Sequence, residues 1–412
     1  MHTQGNSIGD EAHVKVGDPT AIIAKATAWK RALLWLPAKL YELGVRLRVA
    51  AYETTYLKPK RLNSIVISIG NITLGGTGKT PFVEYIARYL KQEGHSVAIL
   101  TRGYSRGSRG RRVLNVPASS ASVENSAHLV TGDHVGREQS VSNGSAPGQV
   151  FENGLETHRE FGDEPLMLAR GLPDVPIIID KNRFAAGQWA ERETGARVMV
   201  LDDAYQHLAL GRDLNILLID ATDPFGGFEM APFGRLREPL YGLKRADAVI
   251  VTRAHRSFDQ GQLLTVLKLF CGPTVPVMYF HSTLARFRHL PTGEVYDARE
   301  FAGWNAALLC GIGNPLAFAD DVLQIGINIV SESFFADHHS YTQDEVDQVN
   351  RAAEAAQAHA ILITEKDAVR MEGLQFGAIP VYAAQLEIQG DDEVRLKSLL
   401  LRTVTSKTAP HK

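Results

Sequence analysis

One stretch of this chain, from Ser64 to Leu90, restricts the possible fold more than any other. It begins with a β-branched run, Ile65 to Ile69, which is typical of a strand buried in a parallel sheet. A glycine loop follows, and Pro81 then begins an amphipathic helical pattern, because proline in a first helical turn loses no hydrogen bond. A strand, a glycine loop and a helix in this order predict a phosphate-binding P-loop.

The loop Gly75-Gly76-Thr77-Gly78-Lys79-Thr80 has residue types that suit a nucleotide. Its glycines allow backbone N–H groups to surround phosphate oxygens, and the helix N-terminus adds partial positive charge. Lys79 is expected to reach the β- and γ-phosphates, and Thr80 to offer its hydroxyl to Mg²⁺. Thr73 stands where the usual spacing has a glycine, so the loop is a variant. The alternative is a glycine-rich turn in a Rossmann-like domain.

Composition places the chain among ordinary globular proteins. Its 412 residues are enough for two domains, and 44% of them are hydrophobic and 22% charged. A net charge of -2 gives no indication of a nucleic-acid partner. The two cysteines, Cys271 and Cys310, form no disulfide framework, which fits a reducing compartment.

The N-terminal region divides into two predicted parts. Residues 1–19 are polar, lack the apolar core of a signal peptide and are expected to be disordered, so we expect a cytoplasmic protein. Residues 20–58 predict basic amphipathic helices, interrupted at Pro37 and containing Trp29 and Trp35. Helices of this kind favour a membrane interface. The alternative is a helix that packs on the protein's own core.

A second strong motif is the hydrophobic strand Val198 to Leu201 with Asp202 and Asp203 at its end. This is the Walker B arrangement, which holds Mg²⁺ opposite the P-loop hydroxyl. It predicts a Mg²⁺ site formed by Thr80, Asp202 and Asp203. The alternative is a buried strand followed by a capping acid.

Two further residues are candidates for the same site. Arg102 follows a predicted strand at residues 97–101, and ligands bind at the carboxyl ends of strands in open α/β sheets, so Arg102 is predicted to contact a phosphate. Asp163 and Glu164 open a predicted helix. Beside a nucleotide site, an Asp here can act as a general base, whereas elsewhere the pair would cap the helix. For Arg102 the alternative is a surface arginine.

The alternation of strands and helices predicts an α/β fold: a P-loop NTPase-like, doubly wound, mainly parallel sheet, with a second, smaller α/β domain and N-terminal amphipathic helices. The predicted limits are 59–290 for the P-loop domain, 291–390 for the second domain and 391–412 for a C-terminal helix and tail. Residues 105–158 are rich in Ser, Ala, Asn and Gly and read as a low-complexity insertion. Its arginines, Arg112 among them, would meet acidic lipid or substrate phosphate, or belong to a solvated loop.

The P-loop and the Walker B strand indicate a nucleoside triphosphate and Mg²⁺ but leave the acceptor open. Two classes compete: a kinase, and a switch NTPase or metallochaperone-type GTPase that acts through a protein partner. GTP-specific P-loop proteins read the base with Asn/Thr-Lys-x-Asp after a late strand, whereas Thr252-Arg253-Ala254-His255 stands there in this chain. The sequence therefore favours a kinase.

Seven motifs then occur in a specific order along the chain. They are Asn71-Ile72-Thr73 with the glycine loop, Thr101-Arg102-Gly103-Tyr104, Gly162-Asp163-Glu164-Pro165, Leu201-Asp202-Asp203 with Gln206-His207, Arg235-Leu236-Arg237-Glu238-Pro239, Asp337-His338-His339, and Thr364-Glu365-Lys366-Asp367. Together they closely resemble the tetraacyldisaccharide 4'-kinase family, the lipid A 4'-kinases of Gram-negative bacteria. Thr73 agrees with the family's pattern, whereas Ala204 stands where the family has a glycine.

The resemblance implies a reaction and a location. The γ-phosphate of ATP would pass to the 4'-hydroxyl of tetraacyldisaccharide 1-phosphate, giving lipid IVA. The protein would be peripheral on the cytoplasmic face of the bacterial inner membrane. Its partners would be the lipid substrate and the membrane surface, with no obligate protein partner.

The resemblance also implies roles for individual residues. Asp163 would accept the proton of the sugar hydroxyl, Lys79 would hold the phosphates, and His338 would reach in from the second domain to orient Asp163. His339 remains an alternative partner, and His338 would otherwise be a capping or structural histidine. Glu164 and Arg237 are further candidates. The predicted nucleotide-contacting residues are Thr73, Gly75, Gly76, Thr77, Gly78, Lys79, Thr80 and Arg102.

Overall fold

The computed structural model describes residues 28–103, 110–115, 130–131, 139–140, 160–256 and 258–406. The predictions for residues 1–19, for most of the 105–158 insertion and for the tail after residue 406 lie outside this part of the chain. Within it, the strands form an eight-stranded sheet, a six-stranded sheet and a pair of two-residue strands.

The strands are β1 (Ile65–Gly70), β2 (Val97–Thr101), β3 (Arg112–Leu114), β4 (Val130–Thr131), β5 (Gln139–Ser140), β6 (Ile177–Ile179), β7 (Val198–Leu201), β8 (Leu214–Asp220), β9 (Ala248–Thr252), β10 (Val277–Tyr279), β11 (His281–His289), β12 (Val295–Asp297), β13 (Asn305–Cys310), β14 (Asn328–Phe334), β15 (Ala360–Thr364) and β16 (Val381–Gln389). The α-helices are α1 (Ala28–Glu53), α2 (Lys79–Gln92), α3 (Asp163–Gly171), α4 (Arg183–Glu193), α5 (Gln260–Phe270), α6 (Pro315–Gln324), α7 (Gln343–Ala355), α8 (Glu365–Arg370) and α9 (Glu393–Ser406). Short 3₁₀ helices cover Gly226–Phe228, Leu240–Arg245 and Ala298–Phe301.

The eight-stranded sheet has the order β10-β9-β8-β1-β7-β2-β6-β3. Its strands run parallel except β3, which pairs antiparallel with β6 at the edge. The strand that precedes the P-loop, β1, lies at the centre between β7 and β8. Because the strands around it are parallel, the P-loop and the acids after β7 lie at the same edge of the sheet.

Both faces of this sheet are covered by helices. On one face, Ile67 of β1 packs with Phe82 and Ile86 of α2. On the other face, Val66 packs in a cluster with Ala186 of α4. Neighbouring residues of one strand point to opposite faces, so this alternation confirms the predicted doubly wound, mainly parallel sheet. This sheet with helices α1 to α5 and α9 is called the first unit below.

The second unit consists of the six-stranded sheet, in the order β12-β11-β16-β15-β13-β14, with helices α6 to α8. Strands β14, β13, β15 and β16 are parallel, and β11 is antiparallel to both β12 and β16. In the chain, the first strand of this sheet begins at His281, upstream of residue 291, which is the predicted start of the second domain. The domain limits stay a prediction. After β16 the chain returns to the first unit, since Leu396 and Leu400 of α9 join its core.

The described part of the N-terminal region forms one helix rather than two. The break predicted at Pro37 is wrong, because α1 continues without interruption from Ala28 to Glu53. Pro37 lies on the exposed side of α1, where water can bind the carbonyl oxygen that proline leaves without a helical hydrogen bond. Among the described residues, no helix is long and apolar enough to cross a membrane.

Part of the predicted insertion belongs to the first sheet. Residues Arg112–Leu114 form the edge strand β3, and the side chain of Val113 is buried. The arginines around this short apolar segment conceal the strand in the sequence. Arg112, for which the sequence offers lipid or substrate phosphate as a partner, lies 2.8 Å from Glu160. Its guanidinium is therefore already paired within the protein.

The last residue of β1 has no room for a side chain. A Cβ at Gly70 would lie 2.7 Å from the backbone nitrogen of Tyr205 and 2.8 Å from its Cβ. We expect Gly70→Ala to destabilise the protein by about 1–3 kcal/mol, because the backbone after β7 would have to move. Urea unfolding of the two proteins measures this difference.

The control for this change is Gly44→Ala on α1, where no atom lies within 4 Å of the added Cβ. An exposed helical glycine replaced by alanine is expected to stabilise by about 0.5–1 kcal/mol. Equal unfolding midpoints for Gly70→Ala and the wild type would contradict the close packing of β1 on Tyr205.

Candidate active site

The P-loop joins the central strand β1 to helix α2. Gly78 precedes the helix with φ 75° and Gly75 has φ 112°, both in the region that glycine adopts without steric cost. Helix α2 begins directly afterwards at Lys79. The loop therefore lies at a helix N-terminus, whose unpaired N–H groups and dipole favour an anion.

Two polar side chains hold Lys79 above this loop. Its Nζ lies 3.3 Å from Oδ1 of Asn71 and 3.7 Å from Oδ1 of Asp203. Asn71 in turn donates to the backbone oxygen of Thr73 at 2.8 Å. Burial lowers the pKa of Lys79, and the negative charge of Asp203 opposes that effect. The ammonium group is thus placed where a phosphate could bind.

Asp203 has cations on its two carboxylate oxygens. Nη1 of Arg237 lies 2.8 Å from both oxygens, and Lys79 approaches Oδ1. Burial alone would raise the pKa of Asp203, but the positive charges of Lys79 and Arg237 outweigh burial and lower it. Asp203 is therefore ionised at neutral pH.

Asp202, its neighbour, is in a different environment. Its side chain is 4% exposed, and its Oδ2 accepts a hydrogen bond from Thr101 at 3.1 Å. Burial and the negative charge of Asp203 raise the pKa of Asp202 to about 6. A further positive charge beside such a carboxylate would stabilise its ionised form.

These oxygen ligands fit Mg²⁺ bound together with a nucleotide. Among the described residues, no group of three or more His, Cys, Asp or Glu side chains could hold a metal ion by itself. Mg²⁺ is usually bound by one or two carboxylates together with water and substrate phosphates. Asp202, Asp203 and the hydroxyl of Thr80 form such an incomplete set of hard oxygen ligands.

Several cations surround the edge of the cavity beside these acids. Arg183 is 2% exposed, and its Nη2 lies 3.3 Å from the backbone oxygen of Asp202. Burial and the positive charges of nearby arginines, Arg183 foremost, lower the pKa of His207 to about 4. Arg102 lies on the same wall and is exposed. This electrostatic environment favours an anionic ligand.

Asp163 is the first residue of α3 and is 3% exposed. Three contacts from the second unit converge on its Oδ2: His338 Nδ1 at 3.1 Å, and Arg370 Nε at 2.8 Å and Nη2 at 2.5 Å. The next residue, Glu164, lies 3.4 Å from Lys366 of α8. The N-terminus of α3 is therefore a place where the second unit contacts the edge of the first unit that carries the P-loop.

The structure distinguishes the two adjacent histidines. His338 has φ 61° and places its ring against Asp163. His339 contacts Glu345 instead, with Nε2 at 3.0 Å and 3.1 Å from the two oxygens. The ring of His339 also stacks on Phe335. Of the alternatives that the sequence leaves open, His338 is thus the one in contact with Asp163.

The predicted site residues line one cavity between the two units, apart from Asp163, which lies buried behind its partners. The lining residues among them are Thr73, Gly75, Gly76, Thr77, Gly78, Lys79, Thr80, Arg102, Asp202, Asp203 and His338. Glu164 and Arg237 line the same cavity. Sequence patterns placed far apart along the chain therefore meet at one site.

The sequence does not single out two residues that the structure places at the site. Asn71 belongs to a quoted motif, but only its contact with Lys79 shows that it holds the lysine. Arg370 lies three residues after the last quoted motif, which ends at Asp367. A charged residue that closes a short helix has no local signal of function, so only the fold identifies Arg370.

The opposite environments of the paired acids predict opposite responses to pH. Because the pKa of Asp202 is about 6 instead of 3.8, its ionisation costs the metal-free protein up to about 3 kcal/mol at neutral pH. The neutral carboxyl of Asp202 favours folding below about pH 4. This contribution to stability is lost as the pH rises through 6, because the buried carboxyl then ionises. We expect Asp202→Asn to raise the urea midpoint in EDTA at about pH 7.5, with a smaller gain near pH 5.

Asp203→Asn is the matched control. The lowered pKa of Asp203 contributes stability above its unfolded pKa that is lost as the pH falls. Asp203→Asn should therefore lower the midpoint at about pH 7.5. Equal midpoints for Asp202→Asn and the wild type at both pH values would refute the raised pKa assigned to Asp202.

The chain matches a known protein family over most of its length. The family model described as "Tetraacyldisaccharide-1-P 4'-kinase" matches residues 30–133 and 136–405. Two similar relatives are named "Tetraacyldisaccharide 4'-kinase". The relative from Geobacter sulfurreducens is 35% identical over 376 residues, 90% of this chain and 92% of the relative. The relative from Geobacter metallireducens is 35% identical over 369 residues, 90% of this chain and 97% of the relative.

A solved structure is similar as well. It is the "apo" form of LpxK from Aquifex aeolicus in complex with ATP, with 26% sequence identity and a TM-score of 0.66. The similarity covers 91% of this chain and 99% of that chain. It therefore extends over both units.

Proposed function

Because this chain belongs to the tetraacyldisaccharide-1-P 4'-kinase family, we propose that the residues described above carry out that family's reaction. The protein is an ATP-dependent kinase that acts on a hydroxyl group. It transfers the γ-phosphate of ATP to the 4'-hydroxyl of tetraacyldisaccharide 1-phosphate and forms lipid IVA in lipid A biosynthesis. The relatives give no support to a switch NTPase or metallochaperone-type GTPase.

One observation supports the assignment of roles above all others: helix α3, which begins with two acidic residues, lies near the P-loop. The negative charge of Glu164, next to Asp163, raises the pKa of both Lys79 and Asp202, although other effects on these two groups are larger. The acid that follows the proposed base is thus near enough to the P-loop lysine and to Asp202 to influence both electrostatically. Phosphoryl transfer requires this kind of positioning more than covalent participation by the protein.

Lys79 and the N–H groups of the loop from Thr73 to Thr80 hold the phosphates of ATP. The hydroxyl of Thr80 and the carboxylates of Asp202 and Asp203 are the residues that would hold Mg²⁺. When bound there, Mg²⁺ would neutralise charge on the phosphate oxygens. Arg237 keeps Asp203 oriented through its two 2.8 Å contacts. Arg102 borders the same cavity and is proposed to contact a phosphate.

Asp163 is the proposed general base. Its carboxylate accepts the proton of the sugar hydroxyl as that oxygen attacks the γ-phosphate, and the imidazole of His338 lies 3.1 Å from Oδ2. Nδ1 of His338, as donor to Oδ2, orients the carboxylate. Asp163 is on the first unit and His338 on the second, so the pair is complete only when the two units are together.

The outer side of α1 is proposed to lie on the cytoplasmic face of the inner membrane. Its exposed leucines recur at helical spacing: Leu33, Leu36, Leu40, Leu43 and Leu47. The opposite side packs on the first unit through Ala38 and Val45. Lys39 and Arg46 flank the leucines, and both pair with Glu42. An apolar stripe bordered by basic residues is typical of a helix that lies in a membrane interface.

The kinase assignment and its base are tested together. Transfer of labelled γ-phosphate from ATP to tetraacyldisaccharide 1-phosphate in detergent micelles is expected for the wild type. Asp163→Asn should lower kcat by about 10²–10⁴-fold, because the amide cannot accept the proton. The KM for ATP should stay close to the wild-type value, since Asp163 does not hold the phosphates.

Lys79→Ala is the contrasting variant. It removes the ammonium that positions the phosphates, so both ATP binding and turnover should fall. Loss of ATP affinity in Asp163→Asn, or wild-type turnover in either variant, would refute the corresponding role. ATP or GTP hydrolysis without any transfer to lipid would favour the switch NTPase instead.

The membrane proposal predicts a change in liposome binding. In Leu40→Glu/Leu47→Glu, two exposed leucines of the α1 stripe become negatively charged, and both apolar contact and attraction to anionic lipid are lost. Co-sedimentation with phosphatidylglycerol-containing vesicles should fall by about 10-fold or more. The matched control is Leu269→Glu on α5, since Leu269 is 74% exposed but lies elsewhere. Equal loss in both proteins, or none in either, would contradict a role for α1.

A further inference from the structure

Arg370 is a deeply buried cation that contacts the proposed base. It is the last residue of α8, in the second unit, and is 1% exposed. Its guanidinium crosses to the first unit and places Nε 2.8 Å and Nη2 2.5 Å from Oδ2 of Asp163. The side chains in this ion pair are 0% and 4% exposed. The pair is therefore separated from water on both sides.

The guanidinium is fixed from behind by the core of the second unit. Nη1 of Arg370 donates to the backbone oxygen of Gly311 at 2.6 Å and lies 3.5 Å from Oδ1 of Asp367. Asp367 is 0% exposed, and it accepts from the N–H of Gly311 at 3.0 Å and from the hydroxyl of Tyr341 at 2.8 Å. A chain of buried polar contacts thus connects Tyr341, Asp367, Arg370 and Asp163.

A buried carboxylate without a partner would be protonated, because burial favours the neutral form. The guanidinium supplies the opposite charge that keeps such a group ionised. Two nitrogens on a single oxygen also restrict rotation of the carboxylate about its Cβ–Cγ bond. Both effects matter for a general base, which must be unprotonated and correctly oriented before the hydroxyl arrives.

We propose that Arg370 is a positioning residue for the phosphoryl transfer: it holds Asp163 ionised and oriented, and it makes this state depend on the docking of α8 against α3. The proposal rests on the role of Asp163 as general base given above. Arg370 itself need not touch either substrate. It acts through Asp163, together with His338, whose Nδ1 lies 3.3 Å from Nη2 of Arg370.

Several charged groups lie near Asp163 and affect the pH at which it is protonated. From the second unit, Arg370 and His338 contact it directly, and Asp367 lies behind Arg370. Glu164 beside it pairs with Lys366. On the first unit, Arg88 of α2 contacts the opposite end of α3, at Gly171. Among these described groups, Arg370 makes the shortest contacts with Asp163, so its removal should make Asp163 easier to protonate.

Three variants test the proposal: Arg370→Gln, Arg370→Lys and the control Arg170→Gln. Arg170 forms a similar ion pair between α3 and the residues after α8, with Nη2 2.8 Å from Glu372, but the pair does not include Asp163. For each protein we would measure the urea midpoint, the affinity for an ATP analogue, and kcat and KM across pH with lipid substrate in micelles.

Arg370→Gln is expected to lower kcat by at least about 10-fold, with the KM for ATP unchanged. The loss of kcat cannot exceed the whole contribution of the base, which is roughly 10²–10⁴-fold. The acidic limb of its kcat profile should move upward by about 1–3 pH units, since a carboxylate that loses an adjacent arginine protonates more readily. Arg370→Lys keeps the charge but not the forked geometry. It should lower kcat while the acidic limb stays near that of the wild type. Arg170→Gln should change neither quantity.

A double-mutant comparison separates action through Asp163 from general destabilisation. If Arg370 acts through Asp163, Arg370→Gln should lower kcat much less in the Asp163→Asn background than in the wild type. Equal losses in both backgrounds, an unchanged acidic limb in Arg370→Gln, or a higher kcat would each overturn the proposal. If Arg370→Gln fails to fold, Arg370→Lys decides: reduced kcat with retained ATP affinity supports the proposal, and wild-type kcat overturns it.

The kinetics of the Asp163 and Arg370 variants distinguish the role of Arg370 from the role of the proposed base. Wild-type kcat in Asp163→Asn would remove Asp163 as base and with it any part for Arg370. Loss of kcat in Asp163→Asn together with normal kinetics in both Arg370 variants would leave the base assignment intact. In that case only the positioning role of Arg370 would fail.

Discussion

The cost of holding carboxylates out of water is the constraint on which this site depends. Asp163, Asp202 and Asp203 are each largely shielded at the nucleotide-binding edge of one sheet, and a buried charge without compensation costs several kcal/mol. Each acid meets this cost differently. Asp203 is neutralised by Lys79 and Arg237 within the first unit, and Asp163 by Arg370 from the second unit. Asp202 keeps a raised pKa, which is the state that a divalent cation would relieve.

In the proposed mechanism, this division requires both units for one reaction. The first unit alone supplies the P-loop, the lysine proposed to bind phosphate and the proposed metal ligands, all on the carboxyl edge of a parallel sheet. The partners of Asp163 come from the second unit, on α8 and on the loop after β14. The proposed nucleotide site can therefore form on the first unit, whereas the proposed base has its partners only when the units are in contact.

Local patterns were sufficient for the first part of this site and insufficient for the second. The glycine loop and the acids after β7 are contiguous in sequence, so spacing and residue type predict their positions. Pro37 was misjudged because its effect on a helix depends on which side faces water. Strand β3 was concealed because its two apolar residues, Val113 and Leu114, directly follow a run rich in arginine. Arg370 and His338 lie 207 and 175 positions from Asp163. No periodicity carries information across such separations; the family resemblance supplied His338, and only the fold supplied Arg370.

The return of the chain to the first unit has a consequence for biosynthesis. Strand β10 ends the first sheet at Tyr279, yet Leu396, Leu400 and Val404 of α9 fill the core beside α2. Domains usually fold in the order in which they leave the ribosome. Here the first core stays open, with apolar surface exposed, until the whole second unit has been translated. The part of this core beside α2 can therefore be closed only after α9 has been synthesised.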